Sequence, residues 1–328
     1  MRTSAGSVSV SEQDELNINH NAPSMLRSTE DHGLSLLGII DKRKATMALT
    51  DVSVSALRIA VAELIERARL APQDDANAVS EAEQGHFEQG PLIADMDLLS
   101  HKVEELLAYR SERTPKMQIE EGAATHSVTR ECVLTSGNSR LTCILGSYSL
   151  SVFGSATDGK KTSSFNSAGG VTNDPATAHA SDLFGIGQMM FETEQQIVTQ
   201  PISGKFVGDI ILAPTAVMNL LGWLLGQLRD NSLVSNLSMY RNSVGEEVAN
   251  SLLTVRSRFE SPGHAPYSGD AFVTPPLTLI EKGRLNHLLP SLYGSLKTGI
   301  KHTPNSAGWS IDPGHTPRAE LISSIENG

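Results

Sequence analysis

The sequence predicts an α+β fold in two domains, and three observations carry that prediction. Short apolar runs flank tight polar turns, the mark of β-hairpins. Amphipathic stretches long enough for helices lie between them. The chain has 328 residues, 39% hydrophobic and 19% charged, enough for about two cores. A candidate boundary at Gln200-Pro201 divides an N-terminal mixed α/β domain with antiparallel hairpins, 1–200, from a β-rich C-terminal domain, 201–328.

Residues 1–30 are rich in Ser, Asn, Asp and Glu with weak periodicity, which leaves a polar edge strand or a loop open. Gly33 to Ile40 and Ala45 to Thr50 are apolar runs around the charged turn Asp41-Lys42-Arg43-Lys44, a hairpin pattern. Leu57, Val61, Leu64, Ile65 and Ala68 then share one helical face. Ser53 or Ser55 can cap the start, Arg67 and Arg69 suit the negative end, and Pro72 stops the helix. The stretch 73–92 reads as a surface excursion, and 95–109 as a second amphipathic helix. From Cys132 to Cys143, a two-residue turn at Gly137-Asn138 suits residues that tolerate positive φ. That register sets Leu134 opposite Leu141 and Cys132 opposite Cys143, within disulfide reach, although two reduced core thiols suit a cytosolic sheet better. Residues 154–180 read as a long loop, or a strand and a loop. Asp182 caps a helix to about Val198, with Leu183, Ile186, Met190 and Ile197 inward.

Beyond the boundary, Gly208 to Leu212 is strand-like, and Pro214 suits the first turn of a strongly apolar helix. Val217, Leu220, Leu221, Leu224 and Leu228 line its buried face. Strands follow at Ser251 to Val255 and at Leu277 to Ile280, the latter turning at Lys282-Gly283 into Leu285 to Leu289.

A formal net charge of -11 and no basic run exclude direct nucleic-acid contact and make a basic or neutral protein or peptide the better match. No signal-peptide pattern and no membrane-length apolar run occur, and there are two cysteines only. The expectation is a soluble, cytoplasmic chain held by its core and not by disulfides, with no membrane partner. None of the ten histidines forms the His-Glu-x-x-His arrangement that sets two imidazoles and a base on one helix. His302, Asp312 and His315 share a Pro- and Gly-rich loop, but irregular spacing reads as solvated loop histidines, as for His264. Neither a nucleophile elbow nor a phosphate-binding glycine loop is present; Gly185-x-Gly187 is too little. The residues alone give no evident active site.

Ser243 to Val255, with Gly245-Glu246-Glu247-Val248-Ala249-Asn250-Ser251-Leu252-Leu253-Thr254-Val255, resembles the Gly-Glu-x-Val-Ala-Ser-x-Leu-Leu-Thr-Val stretch of the TldD/PmbA peptidase family. Leu279 to Leu285 resembles that family's Leu-Ile-Glu-Lys-Gly-x-Leu hairpin, and Gly299 to Gly308 its Gly-rich loop. Ser136-Gly137 sits where the family has Asn-Ser-x-Gly, and weaker agreement reaches back to about Gly33. Tyr267-Ser268-Gly269-Asp270-Ala271 departs from the family's Phe-Asp-x-Glu-Gly. The resemblance normally continues beyond Gly328, so the C-terminal, metalloprotease-like domain is expected to be incomplete.

The resemblance implies a cytosolic protein in dimers that enclose a cavity, one branch carrying zinc on a His-Glu-x-x-x-His helix and the partner branch not. Matched from Pro214, the two histidine places fall on Gly222 and Gln227 and the glutamate place on Trp223. The implied function is a non-catalytic partner subunit of a TldD/TldE-type zinc metalloprotease in peptide processing or proteolysis. No catalytic, cofactor-binding or metal residue is expected on this chain, and the zinc is on the partner. The implied partners are a zinc-bearing TldD-type homologue, in a heterodimer, and an unfolded peptide. The alternatives are a stand-alone metallopeptidase with a non-standard site, or a protein-binding modulator linked to DNA gyrase.

Overall fold

The computed structural model describes residues 2–199, 204–205, 207–258, 261–305 and 308–325. The chain begins with two long antiparallel strands, β1 (Arg2–Asn19) and β2 (Ala22–Ile40), followed by β3 (Arg43–Leu49). Both connections are two-residue turns with positive φ, at His20 and Asn21 and at Asp41 and Lys42. Such turns match the strand twist. The charged turn is therefore two residues shorter than expected, with Arg43 and Lys44 already in β3. From Arg2 on, the polar opening segment is strand apart from the His20-Asn21 turn.

Helix α1 (Val54–Leu70) begins where Ser53 accepts the Ala56 N–H. It lies over β2, with Leu64 against Gly38. The expected surface excursion contains β4 (Gln84–Gln89), which joins the sheet parallel to β6. After α2 (Met96–Arg113), capped by Asp95, come β5 (Met117–Thr135) and β6 (Arg140–Asp158). The sheet order is β3-β2-β1-β5-β6-β4. The short β7 (Lys161–Thr162) and β8 (Asn166–Thr172) also pair with β6, so 154–180 proves to be strand and loop. Ile18, Leu99, Val103, Leu106, Ala124, Leu150, Ile186 and Met190 form one core, where α2 and α3 (Ile186–Gln195) pack on the sheet.

Two local expectations fail for backbone reasons. The Thr135 N–H bonds the Ser139 carbonyl and closes a three-residue turn, 136–138, with Asn138 at φ 67 and its N–H on the Thr135 carbonyl. The extra residue shifts the register by one, so Cys132 faces Thr142, Glu131 faces Cys143, and Leu134 faces Arg140. Because side chains alternate, the two cysteines lie on opposite faces, and both are free thiols. Asp182 makes no side-chain cap. Phe184 and Gly185 take φ 55 and 70, breaking the chain between a single 3-10 turn and α3, which ends at Gln195.

Gln200-Pro201 lies outside the described residues. Gly208 to Leu212 is irregular and not a strand: it finds no ladder partner among the described residues and stays exposed. Helix α4 (Pro214–Leu228) begins at Pro214 as expected and leads to the short α5 (Asp230–Val234). Its buried face is Leu221, Leu225 and Leu228, with Leu224 partly covered; Leu220 points to solvent at 55% exposure. Among the described residues, regular strand in this half is confined to β9 (Val255–Ser257), β10 (Thr278–Glu281), β11 (Arg284–Leu285) and later β12 (Trp309–Ile311), in the order β11-β10-β9-β12. Ser251 to Thr254 and Asn286 to Leu289, expected as strand, thus lie outside the observed strands, although Leu288 and Leu289 are buried. Helices α6 (Leu292–Thr298) and α7 (Arg318–Ser323) complete the half. Leu228, Leu233, Val255, Leu279, Ile280 and Leu285 are its core. No helix among the described residues is long and apolar enough to cross a membrane.

Candidate functional site

A cavity of about 1080 Å³ lies between one face of the large sheet and the second half of the chain. It exists because the sheet wall carries small side chains, among them Ala5, Ser7, Ser35, Thr46 and Ala48. The other wall comes from the segment 265–271, the start of α6, the loop His302–Asn305 and the residues just after α4. Its volume suits a few residues of an extended peptide or a ligand of comparable size.

Strand alternation places Glu131, Val133, Leu141 and Cys143 on the sheet face that meets the second half. There Tyr267 docks: its hydroxyl donates to Glu131 Oε2 at 2.6 Å and lies 3.0 Å from Cys143 Sγ. Burial, with the Cys143 and Glu131 contacts, pushes the Tyr267 hydroxyl far above its ordinary range, and burial pushes the Cys143 thiol up. Neither is therefore poised as a nucleophile at neutral pH. Together with Leu141, Leu145 and Ala271 they form a pin between the halves, to which the Val273 N–H adds a bond to Glu83 Oε2 at 3.1 Å.

Deeper in the wall, Asp270 organises three segments. Its carboxylate accepts the Leu292 N–H at 2.6 Å and the Ser268 hydroxyl, and His302 Nε2 lies 3.3 Å from Oδ2. The His302 contact is one of proximity and not of an aligned hydrogen bond, since Nε2 is without a hydrogen-bond partner. The His302 ring meets Phe272 edge-on at 4.5 Å. Asp230, at the start of α5, accepts the Ser291 N–H at 2.8 Å and the Ser291 hydroxyl.

A latch closes the rim. Asp74 accepts from the Tyr293 hydroxyl and from Lys297, each at 2.9 Å, and Lys44 sits 5.1 Å above the Tyr293 ring. The Ala76 N–H and the Lys297 ammonium hold the Asp74 carboxyl below its ordinary range. A depressed carboxyl contributes stability above its unfolded value, near 3.9, and loses it as pH falls through the folded value. Asp74→Asn is expected to melt lower than wild type at neutral pH, and the gap is expected to close on acidification below about pH 4. Melting curves of both proteins across that window check this; a gap constant with pH would contradict the latch.

The places matched to the zinc motif are not in this cavity wall. Gly222 is exposed, with open space where a Cβ would stand, and Trp223 is 54% exposed. Gln227 uses its Oε1 to accept the Met239 N–H at 3.3 Å. These residues do not fit zinc: glycine offers no donor, the indole offers only an N–H, and an amide is a poor ligand beside His or Cys. Among the described residues no group of three or more His, Cys, Asp or Glu is placed to hold a metal ion. His302, Asp312 and His315 are not brought together: His302 lines the cavity, Asp312 pairs with Arg256 at 3.1 Å, and His315 is exposed. The part-buried His302 thus corrects its reading as a solvated loop histidine, whereas His264 is exposed. Sequence reasoning missed Lys44, Asp74, Glu131 and Tyr293; its one signal was the altered Tyr267 to Ala271 segment, which forms part of the wall.

Residues 203–328 match the model of the PmbA/TldA metallopeptidase C-terminal domain. No curated protein matches the sequence. Among solved structures the chain is similar to TldE from Thermococcus kodakarensis, with a TM-score of 0.77 and 18% identity over 99% of this chain and 77% of that one. It is similar also to a Bacteroides thetaiotaomicron protein named as a proposed modulator of DNA gyrase, with a TM-score of 0.74, 17% identity, and coverage of 99% and 76%. A Thermotoga maritima protein named in the same way gives a TM-score of 0.72 at 14% identity, with coverage of 98% and 76%. The family resemblance carried by short motifs is thus joined by a domain-length match and a shared two-domain α+β fold.

Proposed function

We propose, from the PmbA/TldA metallopeptidase C-terminal domain that residues 203–328 carry, that this chain is a non-catalytic partner subunit of a TldD/TldE-type zinc metallopeptidase. In this reading it pairs with a zinc-bearing homologue and helps to enclose an unfolded peptide. The observation that carries it is the residue set on α4: Gly222, Trp223 and Gln227 supply neither a zinc ligand set nor a carboxylate base. The helix instead commits its other face to the core through Leu221, Leu225 and Leu228. This chain's contribution is binding: the cavity wall positions a chain and excludes water from part of it, and no proton transfer is assigned to its residues. The names given to two structural relatives favour a second reading, a protein-binding modulator linked to DNA gyrase.

Metal analysis after dialysis against a weak chelator tests the first reading. The expected result is no stoichiometric zinc on the isolated chain, and peptidase activity only on co-purification with a zinc-bearing homologue. One tightly held zinc per chain, or peptide hydrolysis by the chain alone, would overturn it.

A further inference from the structure

We infer that the cavity takes an acidic peptide segment, whose side-chain carboxylates are received by Lys44 and Arg229. The inference rests on the proposed enclosure of a peptide and adds the chemical class of that peptide.

The groups that line the cavity differ in what they have left to offer. Each of its three carboxylates already holds a donor of the protein: Glu131 that of Tyr267, Asp230 those of Ser291, and Asp270 those of Ser268 and Leu292. The two cations are not so engaged. Lys44 has a ring face at 5.1 Å, and neither Lys44 nor Arg229 has an ion-pair partner among the described residues. Arg229 is tied through its backbone, its carbonyl accepting the Leu233 N–H. An arriving ammonium finds carboxylates that each already hold at least one donor, whereas an arriving carboxylate finds N–H donors without an ion-pair partner on both walls.

Two charge counts point the other way: the chain as a whole is at -11, and three carboxylates against two cations leave the lining at -1 with His302 neutral. Contact geometry outweighs both. Surface charges more than about 8 Å away are largely screened at physiological salt, the lining carboxylates each hold a donor of the protein, and a direct charge-assisted hydrogen bond is about twice as strong as a neutral one. Lys44 belongs to β3 and Arg229 to the end of α4, so the cations come from different halves of the molecule. A chain terminus brings one carboxylate; an internal acidic segment brings several, which is why side chains are assigned. Ala5, Leu37 and Val133 on the sheet wall suit apolar residues between them.

Fluorescence anisotropy with the full 328-residue chain tests this. The probes are labelled, C-terminally amidated decapeptides alternating Val with Glu, Gln or Lys, and the Gln peptide with a free C-terminus. The Glu peptide is expected to bind about tenfold tighter than the amidated Gln peptide. Lys44→Met and Arg229→Gln are each expected to lose most of that margin, Lys44→Arg to keep it, and Lys160→Met, on a remote turn, to leave it unchanged. Melting temperatures of the variants report folding separately. Equal binding of Gln or Lys peptides, or wild-type affinity in both Lys44→Met and Arg229→Gln, overturns the inference while peptide enclosure stands. A free-terminus Gln peptide that matches the Glu peptide moves the carboxylate to a chain end and overturns the assigned source. Binding of no peptide overturns the inference and peptide enclosure together, leaving partnership with a zinc-bearing homologue to the metal and co-purification results.

Discussion

Leu228→Ala is expected to lower the free energy of unfolding by roughly 2–5 kcal/mol, the range for removing a large buried aliphatic side chain and leaving a cavity. Leu228 is fully buried at the end of α4, among Leu233, Leu279, Ile280 and Leu285. Its carbonyl also accepts the Leu289 N–H at 2.8 Å, so the site joins the helix to the chain after β11. Poor collapse around a residue held on several sides keeps the cost in the upper part of that range. Leu220→Ala on the same helix is the control: Leu220 is 55% exposed, and its removal is expected to change stability by less than about 0.5 kcal/mol. Urea unfolding of the two variants beside wild type decides it. Equal midpoints would mean that α4 is not packed by its Leu221, Leu225 and Leu228 face.

Gly146→Ala carries the second large effect, for the opposite reason. A Cβ at Gly146 would stand 1.7 Å from the Pro91 carbonyl oxygen and 2.4 Å from its carbon. The obstacle is backbone, which cannot rotate away as a side-chain tip can. The partner segment cannot retreat easily either: a Cβ at Gly90 would meet the Gly146 oxygen at 1.9 Å, and His126 Nε2 holds the Pro91 carbonyl at 2.9 Å. Overpacking of this kind typically costs 1–3 kcal/mol, and a backbone clash on both sides places the expectation at about 3 kcal/mol or more. Gly222→Ala gives the contrast, since open space surrounds that helical position and alanine favours helix by up to about 1 kcal/mol. A thermal scan showing Gly146→Ala within a degree or two of wild type would refute the close approach of β6 to the 90–91 loop.

What was legible in the sequence follows the range of the interactions involved. Helices α1, α2 and α4 are legible from periodicity, and α1 and α4 also from Ser53 and Pro214, which act within a turn of where they stand. The β2–β3 hairpin was read because its turn and its apolar runs are adjacent. The strand β4 was not, since Gln84 to Gln89 is polar enough to pass for loop and its partner on β6 lies 56 residues ahead. Nor was the opening strand certain, because β1 is stabilised by pairing with β5, more than a hundred residues later. The site fared likewise. Vacancy of the zinc-motif places could be argued from three residues in one helix. The cavity wall joins Glu131 to Tyr267 and Asp74 to Tyr293, contacts that no local pattern announces.

The three-residue loop at the β5–β6 turn has a consequence for redox chemistry. An even loop would have set the two thiols side by side, where an oxidant could staple the hairpin. With an odd one, Cys132 and Cys143 are separated by the thickness of the sheet, and the sulfur on the inner face is sealed beneath Tyr267. Disulfide formation demands β-carbons about 3.5–4.5 Å apart with converging bonds, a demand this register denies within one chain. The covalent connectivity of the sheet is therefore indifferent to the thiol–disulfide potential around it, and β5 and β6 are paired without a covalent staple.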